Sequence, residues 1–142
     1  ILLSEVSKTL KKLLILSSYK IFKMKTYFYA LRYKVDNEEW RARAKRALVF
    51  QFWKKYQRKT TNVKLLDLGC GTGVLLEQFE KRFKIKGYGI DTSTEAIKYC
   101  KRRGLSQVKK FDGKNIHFND KAIDLLTAID VLEHVKVDLK AR

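Results

Sequence analysis

The chain has 142 residues, of which 45% are apolar and 33% are charged, and it contains no proline. This length and apolar content fit one domain with a hydrophobic core and exclude a wholly disordered chain. No apolar run reaches the roughly 20 residues that a membrane-spanning helix requires, so we predict no transmembrane segment.

Residues 1–62 carry most of the net charge of +17 and are predicted to form a basic helical lead-in. Such a region attracts nucleic acid or anionic lipid, or else it is a solvated lysine-rich surface. The only methionine is Met24. We therefore expect Met24 to be the biological start and residues 1–23, which have the pattern of an amphipathic helix, to be read through from upstream.

The second part of this lead-in is predicted to contain two helical segments. Residues 25–37 are rich in aromatic side chains, which we expect to pack on the core, with the lining of a substrate pocket as the alternative. Residues 38–58 predict one helix with Arg41, Arg43, Lys45 and Arg46 facing solvent or an anion. Its buried face is predicted to hold Trp40, Ala44, Ala47, Leu48, Phe52 and Tyr56. Val49, Phe50 and Trp53 indicate contact with a second element.

A glycine-rich stretch, Leu65–Gly73, follows the lead-in and reads LLDLGCGTG. An apolar run, an acidic residue and three glycines at alternate positions predict a buried strand that ends in a tight turn and opens a helix. Val74 stands where a dinucleotide-binding fingerprint has its third glycine, which points away from NAD. Cys70, within the turn, and Cys100 show no metal spacing and no disulfide framework, which indicates a reducing compartment, here the cytoplasm, and no metal site.

Three further strands are predicted, over residues 85–90, 107–111 and 122–129, and each is followed by an acidic residue. Thr92–Glu95 has the pattern of a capping box that starts a helix, and Gly104 is a plausible stop for that helix. Another helix is predicted to start at residues 131–134. Strands that alternate with helices predict an α/β fold with a Rossmann-like, doubly wound parallel sheet of four strands, preceded by the N-terminal helices. Ligands bind such sheets beyond the carboxyl ends of the strands, where the acidic residues lie.

At the glycine turn the sequence resembles the class I S-adenosylmethionine-dependent methyltransferases, whose first motif reads acidic-x-Gly-x-Gly-x-Gly. Asp67, Gly69, Gly71 and Gly73 match that pattern. Residues 88–100 resemble the second motif with its helix, Phe111-Asp112 the third, and residues 118–135 the fourth. The resemblance covers about residues 63–137, and it implies that 63–142 form the cofactor-binding half of such an enzyme, whose remaining strands lie beyond this chain.

The resemblance implies a role for individual residues. Gly69, Gly71 and Gly73 would approach the methionine and ribose parts of S-adenosylmethionine, Asp67 would hold its amino end, and Asp91 would bind the ribose hydroxyls. Around the adenine and at the amino group it implies roles for these residues: Thr92, Ser93, Asp112, Gly113 and the carbonyl of Ala128. For Asp67 and Asp91 the alternative is helix capping, and for Asp112 an ordinary turn.

The methyl acceptor is expected to be a small molecule. Asp130 and His134 lie where the acceptor is expected and are candidates for a general base, with a structural histidine as the alternative for His134. The rival hypothesis is a non-catalytic, basic nucleic-acid-binding module on a degenerate nucleotide fold. An oxidoreductase that uses NAD is a third alternative, and it is disfavoured by Val74.

Overall fold

The structure, a computed structural model, describes residues 26–58, 61–114, 116, 118–119, 122–131 and 133. Its helices are residues 26–35 (α1), Trp40–Tyr56 (α2), Val74–Phe83 (α3) and Thr94–Arg102 (α4). Its strands are Leu65–Leu68 (β1), Tyr88–Asp91 (β2), Val108–Lys110 (β3) and Leu125–Thr127 (β4). None of the described helices combines the length and the apolar character that crossing a bilayer requires.

The four strands form one parallel sheet in the order β3-β2-β1-β4. Asp67 of β1 lies in register with Gly89 on one side and with Thr127 on the other. The chain steps outward from β1 to β2 and β3 and then returns across β1 to β4. This reversal places a switch point at the carboxyl ends of β1 and β4, where ligands bind in such sheets. The predicted parallel α/β fold is confirmed.

One hydrophobic cluster holds the sheet, α3, α4 and α2 together. Its fully buried side chains are Leu65 of β1, Leu76 and Phe79 of α3, and Cys100 of α4. Burying one such side chain contributes about 1.5–3 kcal/mol. The strands are shorter than predicted, because the flanking apolar residues, such as Ile85, are buried in the connecting segments rather than paired in the sheet.

The predicted buried face of α2 is wrong. Trp40 is 70% exposed and Phe52 is 60% exposed, and Leu48 and Tyr56 are also exposed. The helix instead buries Phe50 and Trp53, whose rings pack against Phe79 and Phe83 of α3. Apolar side chains occur on two faces of this helix, so the periodicity alone does not decide which face meets the core.

Arg46 was predicted to face solvent or an anion, and the first alternative is wrong, because the side chain is buried within α2. Its guanidinium is retained in the interior by a hydrogen bond of 2.8 Å from Nη2 to the carbonyl oxygen of Asp36, which lies between α1 and α2. The aromatic residues of α1 are divided. Tyr33 packs on Tyr99 of α4, with ring centroids 5.0 Å apart, whereas Tyr27 and Phe28 are exposed rather than packed on the core as predicted.

Helix α4 begins one residue later than the predicted capping box. Ser93 is its N-cap, and Ser93 Oγ accepts a hydrogen bond of 3.3 Å from the Ala96 amide. Gly104 ends the helix with φ +83°, a left-handed conformation that glycine adopts without steric cost. The N-terminal residues 1–23 lie outside the described residues. Of the predicted helix start at residues 131–134, only residues 131 and 133 are described.

Candidate functional site

A cavity of about 620 Å³ lies beyond the carboxyl ends of β1, β2 and β4, and α1 and α2 form its opposite wall. This is the position where ligands bind to doubly wound sheets, and its size is typical of a small-molecule site. Seven of the predicted site residues line it: Asp67, Gly69, Gly71, Asp91, Thr92, Gly113 and Asp130.

The glycine turn is attached to the end of β2 by its backbone. The amide of Gly69 donates to the carbonyl oxygen of Ile90 at 2.8 Å, and the amide of Gly71 donates to Asp91 Oδ2 at 2.9 Å. A Cβ atom added to Gly71 would meet no protein atom within 4 Å. The main chain at Gly71 therefore borders open space, so that a ligand can approach the backbone closely.

Asp91 has both carboxylate oxygens oriented by the backbone. Oδ2 accepts from the Gly71 amide, and Oδ1 accepts from the amide of Ser93, the N-cap of α4, at 2.8 Å. The carboxylate is therefore fixed between the turn after β1 and the start of α4. Each oxygen keeps further acceptor capacity for a ligand hydroxyl.

Asp67 is a buried carboxyl group, 4% exposed, on the floor of the cavity. Burial raises its pKa from 3.8 to about 7, the nearby charge of Asp91 adds to this, and a hydrogen bond from Thr127 opposes it. That bond runs from Thr127 Oγ1 to Asp67 Oδ1 at 2.7 Å. Because the carboxyl group titrates near neutrality, it responds to any positive charge that enters the cavity.

Four of the predicted site residues lie outside the cavity wall: Gly73, Ser93, Asp112 and Ala128. Gly73 and Ser93 are the N-caps of α3 and α4. Asp112 is exposed, and its Oδ1 accepts from the Lys114 amide at 2.9 Å, the turn arrangement that the sequence left open as an alternative. His134 lies outside the described residues.

Asp130 lies at the edge of the cavity, just beyond β4, and forms an ion pair with Lys45 of α2. Its φ of +56° is a left-handed conformation that a non-glycine residue rarely adopts. Such conformations concentrate at functional sites, where the surrounding structure imposes them. The ion pair connects the helical wall of the cavity to the strand side.

The helical side of the cavity is lined by residues of α1, α2 and the connection between them: Tyr29, Arg32, Asp36, Lys45 and Arg46. The sequence offered the lining of a pocket as the alternative for the aromatic residues of 25–37 and predicted Lys45 and Arg46 to face solvent or an anion, but it did not indicate Arg32 or Asp36. Asp36 is buried and accepts a hydrogen bond from the hydroxyl of Thr72 in the glycine turn. Only the fold brings these helices over the turn, so no local pattern indicates the contact. The result is a cavity with Asp67 and Asp91 on the strand side and, on the helical side, cations together with the buried carboxylate of Asp36.

The two cysteines are free and buried beside the turn, with their Sγ atoms 3.9 Å apart. The hydrogen bond with Cys100 raises the pKa of the Cys70 thiol, and burial raises it further. Among the described residues, no three side chains of His, Cys, Asp or Glu are grouped as metal ligands.

Residues 66–141 match the family described as methyltransferase domain. A curated relative, norajmaline N-methyltransferase from Rauvolfia serpentina, is 33% identical over 79 residues, which are 51% of this chain and 27% of that protein. The chain thus spans about a quarter of the length of that relative.

Solved structures of methyltransferases share the fold. The plantazolicin methyltransferase BpumL, solved in complex with SAH, has a TM-score of 0.52 at 28% identity, with 72% of this chain and 40% of that chain covered. A SAM-dependent methyltransferase from Aquifex aeolicus has a TM-score of 0.50 at 24% identity, with 62% and 50% covered.

Proposed function

Because the chain belongs to the methyltransferase domain family, we propose that it binds S-adenosylmethionine and serves as the cofactor-binding part of an enzyme that methylates a small molecule. The observation that carries this proposal is the Gly71 amide bonded to the Asp91 carboxylate at the rim of an open cavity. This arrangement pairs bare main chain with a fixed carboxylate at the tips of two parallel strands, as a nucleoside with an amino-acid tail requires.

The residues present fit this cofactor. S-adenosylmethionine carries a positive amino group, a carboxylate, a sulfonium, a ribose with two free hydroxyls and an adenine ring. The cavity offers Asp67 and Asp91 on its strand side and Arg32, Lys45 and Arg46 on its helical side. Asp36 also lies on the helical side, where it pairs with Arg32, and Lys45 pairs with Asp130. Acidic and basic groups are thus both available to the two ends of an amino acid, and the open space at Gly71 leaves room for the ligand at the turn.

Within this proposal, Asp67 holds the amino group and Asp91 accepts from the ribose hydroxyls. The backbone of Gly69 and Gly71 borders the sulfur and ribose, and Thr92, Phe111 and Gly113 surround the adenine. The remaining predicted contacts have less support from the geometry, because the residues concerned lie outside the cavity wall: Gly73, Ser93, Asp112 and Ala128. When bound, S-adenosylmethionine supplies a methyl group that its positive sulfur already activates.

The protein's contribution is mainly alignment, since an activated methyl group needs its acceptor held in line with the bond that breaks. Asp130, at the cavity edge, is the described carboxylate best placed to contact an acceptor or to take its proton, and Lys45 orients it. A role for His134 stays a prediction from the sequence. The relative named as norajmaline N-methyltransferase supports a small-molecule acceptor.

We also propose that residues 1–62 form a helical lead-in to the cofactor-binding part, which comprises residues 63–142. The protein is further proposed to be located in the cytoplasm. Nucleic-acid binding by the basic lead-in receives no support from the family or from the relatives named above.

Calorimetric titration of the chain with S-adenosylmethionine and with its demethylated product tests the proposal. We expect saturable binding of both ligands, weakened about tenfold or more by Asp91→Asn, because the loss of a charged acceptor removes the stronger class of hydrogen bond. Glu95→Gln, which neutralises a carboxylate that pairs with Lys98 and does not line the cavity, is the matched control. No binding to the wild type, or equal weakening by both variants, would contradict the proposal.

A further inference from the structure

A second concave surface lies on the outer side of the helices, between α2 and α3. This groove of about 610 Å³ is lined by residues of the α1–α2 connection, α2 and α3, among them Arg43, Arg46 and Arg82. No aspartate or glutamate side chain lines it in the part of the chain that the structure describes. Three guanidinium groups therefore share one surface without a carboxylate between them.

Ion pairs engage six of the described lysines and arginines, and the three arginines of the groove are not among them. Lys45, Lys81, Lys86, Lys98, Arg32 and Arg103 each lie within 4.0 Å of a carboxylate. No described carboxylate forms such a pair with Arg43, Arg46 or Arg82. Instead, the Arg82 guanidinium lies over the ring of Phe50, 4.8 Å from its centroid. This contact positions the cation but leaves its charge uncompensated.

Arg46 supplies a second observation. It is only 6% exposed, and its Nε is buried without a hydrogen-bond partner among the described residues. Burial lowers the pKa of Arg46; the charges of Asp36 and Glu39 oppose this, and those of Arg103 and Arg43 add to it. A buried donor without a partner costs about 1–3 kcal/mol, which an approaching anion offsets.

The neighbouring groups fit a phosphate ester. Asn37 and Gln78 line the groove and are hydrogen-bonded to each other at 3.4 Å, which places amide groups beside the arginines. Trp40, 70% exposed, also lines it and offers a flat surface for a planar ring. A phosphate monoester carries close to two negative charges and three acceptor oxygens, which suit several guanidinium groups better than a single carboxylate does.

We propose that the groove between α2 and α3 is a binding site for a small phosphorylated molecule, held through its phosphate by Arg43, Arg82 and Arg46. The site is separate from the cavity at the strand ends. Arg46 alone lines both, so it connects the two surfaces through one side chain.

Calorimetric titration of the chain with inorganic phosphate, ribose 5-phosphate and AMP tests this proposal. We expect all three ligands to bind. The double variant Arg43→Gln/Arg82→Gln should lower the affinity for each of them about tenfold or more, since two charge-assisted contacts are lost. Arg58→Gln/Arg102→Gln removes the same charge from exposed arginines that do not line the groove and is expected to bind as the wild type does. Trp40→Ala is expected to weaken the binding of AMP but not that of inorganic phosphate.

Three results would overturn the proposal. One is that the wild type binds none of the three ligands at millimolar concentration. A second is that both double variants weaken binding equally, which would show a general effect of net charge. The third is that an oligothymidylate without terminal phosphates is the only ligand whose binding depends on Arg43 and Arg82. That result would assign the groove to the backbone of a nucleic acid. Thermal unfolding of each variant verifies that it folds.

Discussion

Gly71 and Gly104 share a backbone constraint and differ in their surroundings. Both have positive φ, +55° and +83°, and an added Cβ would meet no protein atom within 4 Å at either position. Alanine at each should therefore lower the free energy of unfolding by a similar amount, roughly 1–2 kcal/mol, through the left-handed backbone alone. Only Gly71 lines the cavity, so only Gly71→Ala should also weaken the binding of S-adenosylmethionine.

Urea unfolding and calorimetric titration of the two variants measure both effects. Gly104→Ala is the control for the loss of stability that the left-handed backbone conformation alone causes. If the two variants lost cofactor affinity equally, the main chain at Gly71 would have no particular contact with the ligand.

Asp67 should make the stability of the chain depend on pH in an unusual direction. Its pKa rises from 3.8 to about 7 on folding, so between these values the folded state holds a proton that the unfolded state has lost. The free energy of unfolding from this group therefore falls as pH rises from about 4 to about 7. Asp67→Asn should match the wild type near pH 4 and exceed it by roughly 2–4 kcal/mol at pH 8.

Urea unfolding at a series of pH values tests this prediction. Thr127→Val is a companion variant, because it removes the hydrogen bond that lowers the pKa of folded Asp67. The fall in stability should then start at the same pH, continue to higher pH and be larger than in the wild type. Parallel pH profiles for the wild type and Asp67→Asn would contradict the prediction.

The site residues differ in how far the sequence reveals them. Asp67, Gly71 and Asp91 are local signals, since each lies at the end of a strand that an apolar run predicts, and all three line one cavity. Thr127, whose hydrogen bond lowers the pKa of Asp67 against the larger effect of burial, lies 60 positions away along the chain and meets it only through the register of β1 and β4. The cavity wall that α1 and α2 form likewise depends on packing between distant segments.

At the scale of elements, α2 provides a direct test of which helix face meets the core. Phe50 is 5% exposed and packs on α3, whereas Phe52, two positions later, is 60% exposed. Phe50→Ala should lower the free energy of unfolding by about 3 kcal/mol, because it removes buried area and leaves a cavity. Phe52→Ala should change it by about 0.5 kcal/mol or less.

Urea unfolding of this matched pair distinguishes the observed face from the one that the sequence predicted. Equal losses would contradict the observed difference between the two faces, and a larger loss for Phe52→Ala would place the opposite face of α2 against the core. The sequence could not settle the matter, because aromatic side chains occur on more than one face of this helix. The helix that the glycine turn was predicted to open is present as α3.

At the scale of the whole molecule, Arg103 joins α1 to the α/β unit. Its Nε donates to the carbonyl oxygen of Thr72 at 2.8 Å, its Nη2 to that of Tyr33 at 3.3 Å, and its Nη1 pairs with Glu77 at 3.0 Å. The guanidinium also lies 4.4 Å from the centre of the Tyr33 ring. One buried cation thus contacts α1, the glycine turn and α3.

Arg103→Gln should release α1 from the rest of the molecule while the sheet stays folded. We expect faster hydrogen exchange at the amides of residues 26–35 and a loss of about 2 kcal/mol in the free energy of unfolding, since charged hydrogen bonds are lost and Glu77 keeps its other partner, Lys81. Amides of β1 and β2 should keep their protection. Arg102→Gln is the control, because the neighbouring Arg102 is exposed and lies over the Tyr99 ring. If exchange in residues 26–35 rose equally in both variants, Arg103 would not be the residue that holds α1 against the glycine turn. The position of α1 over the cavity would then depend on other contacts.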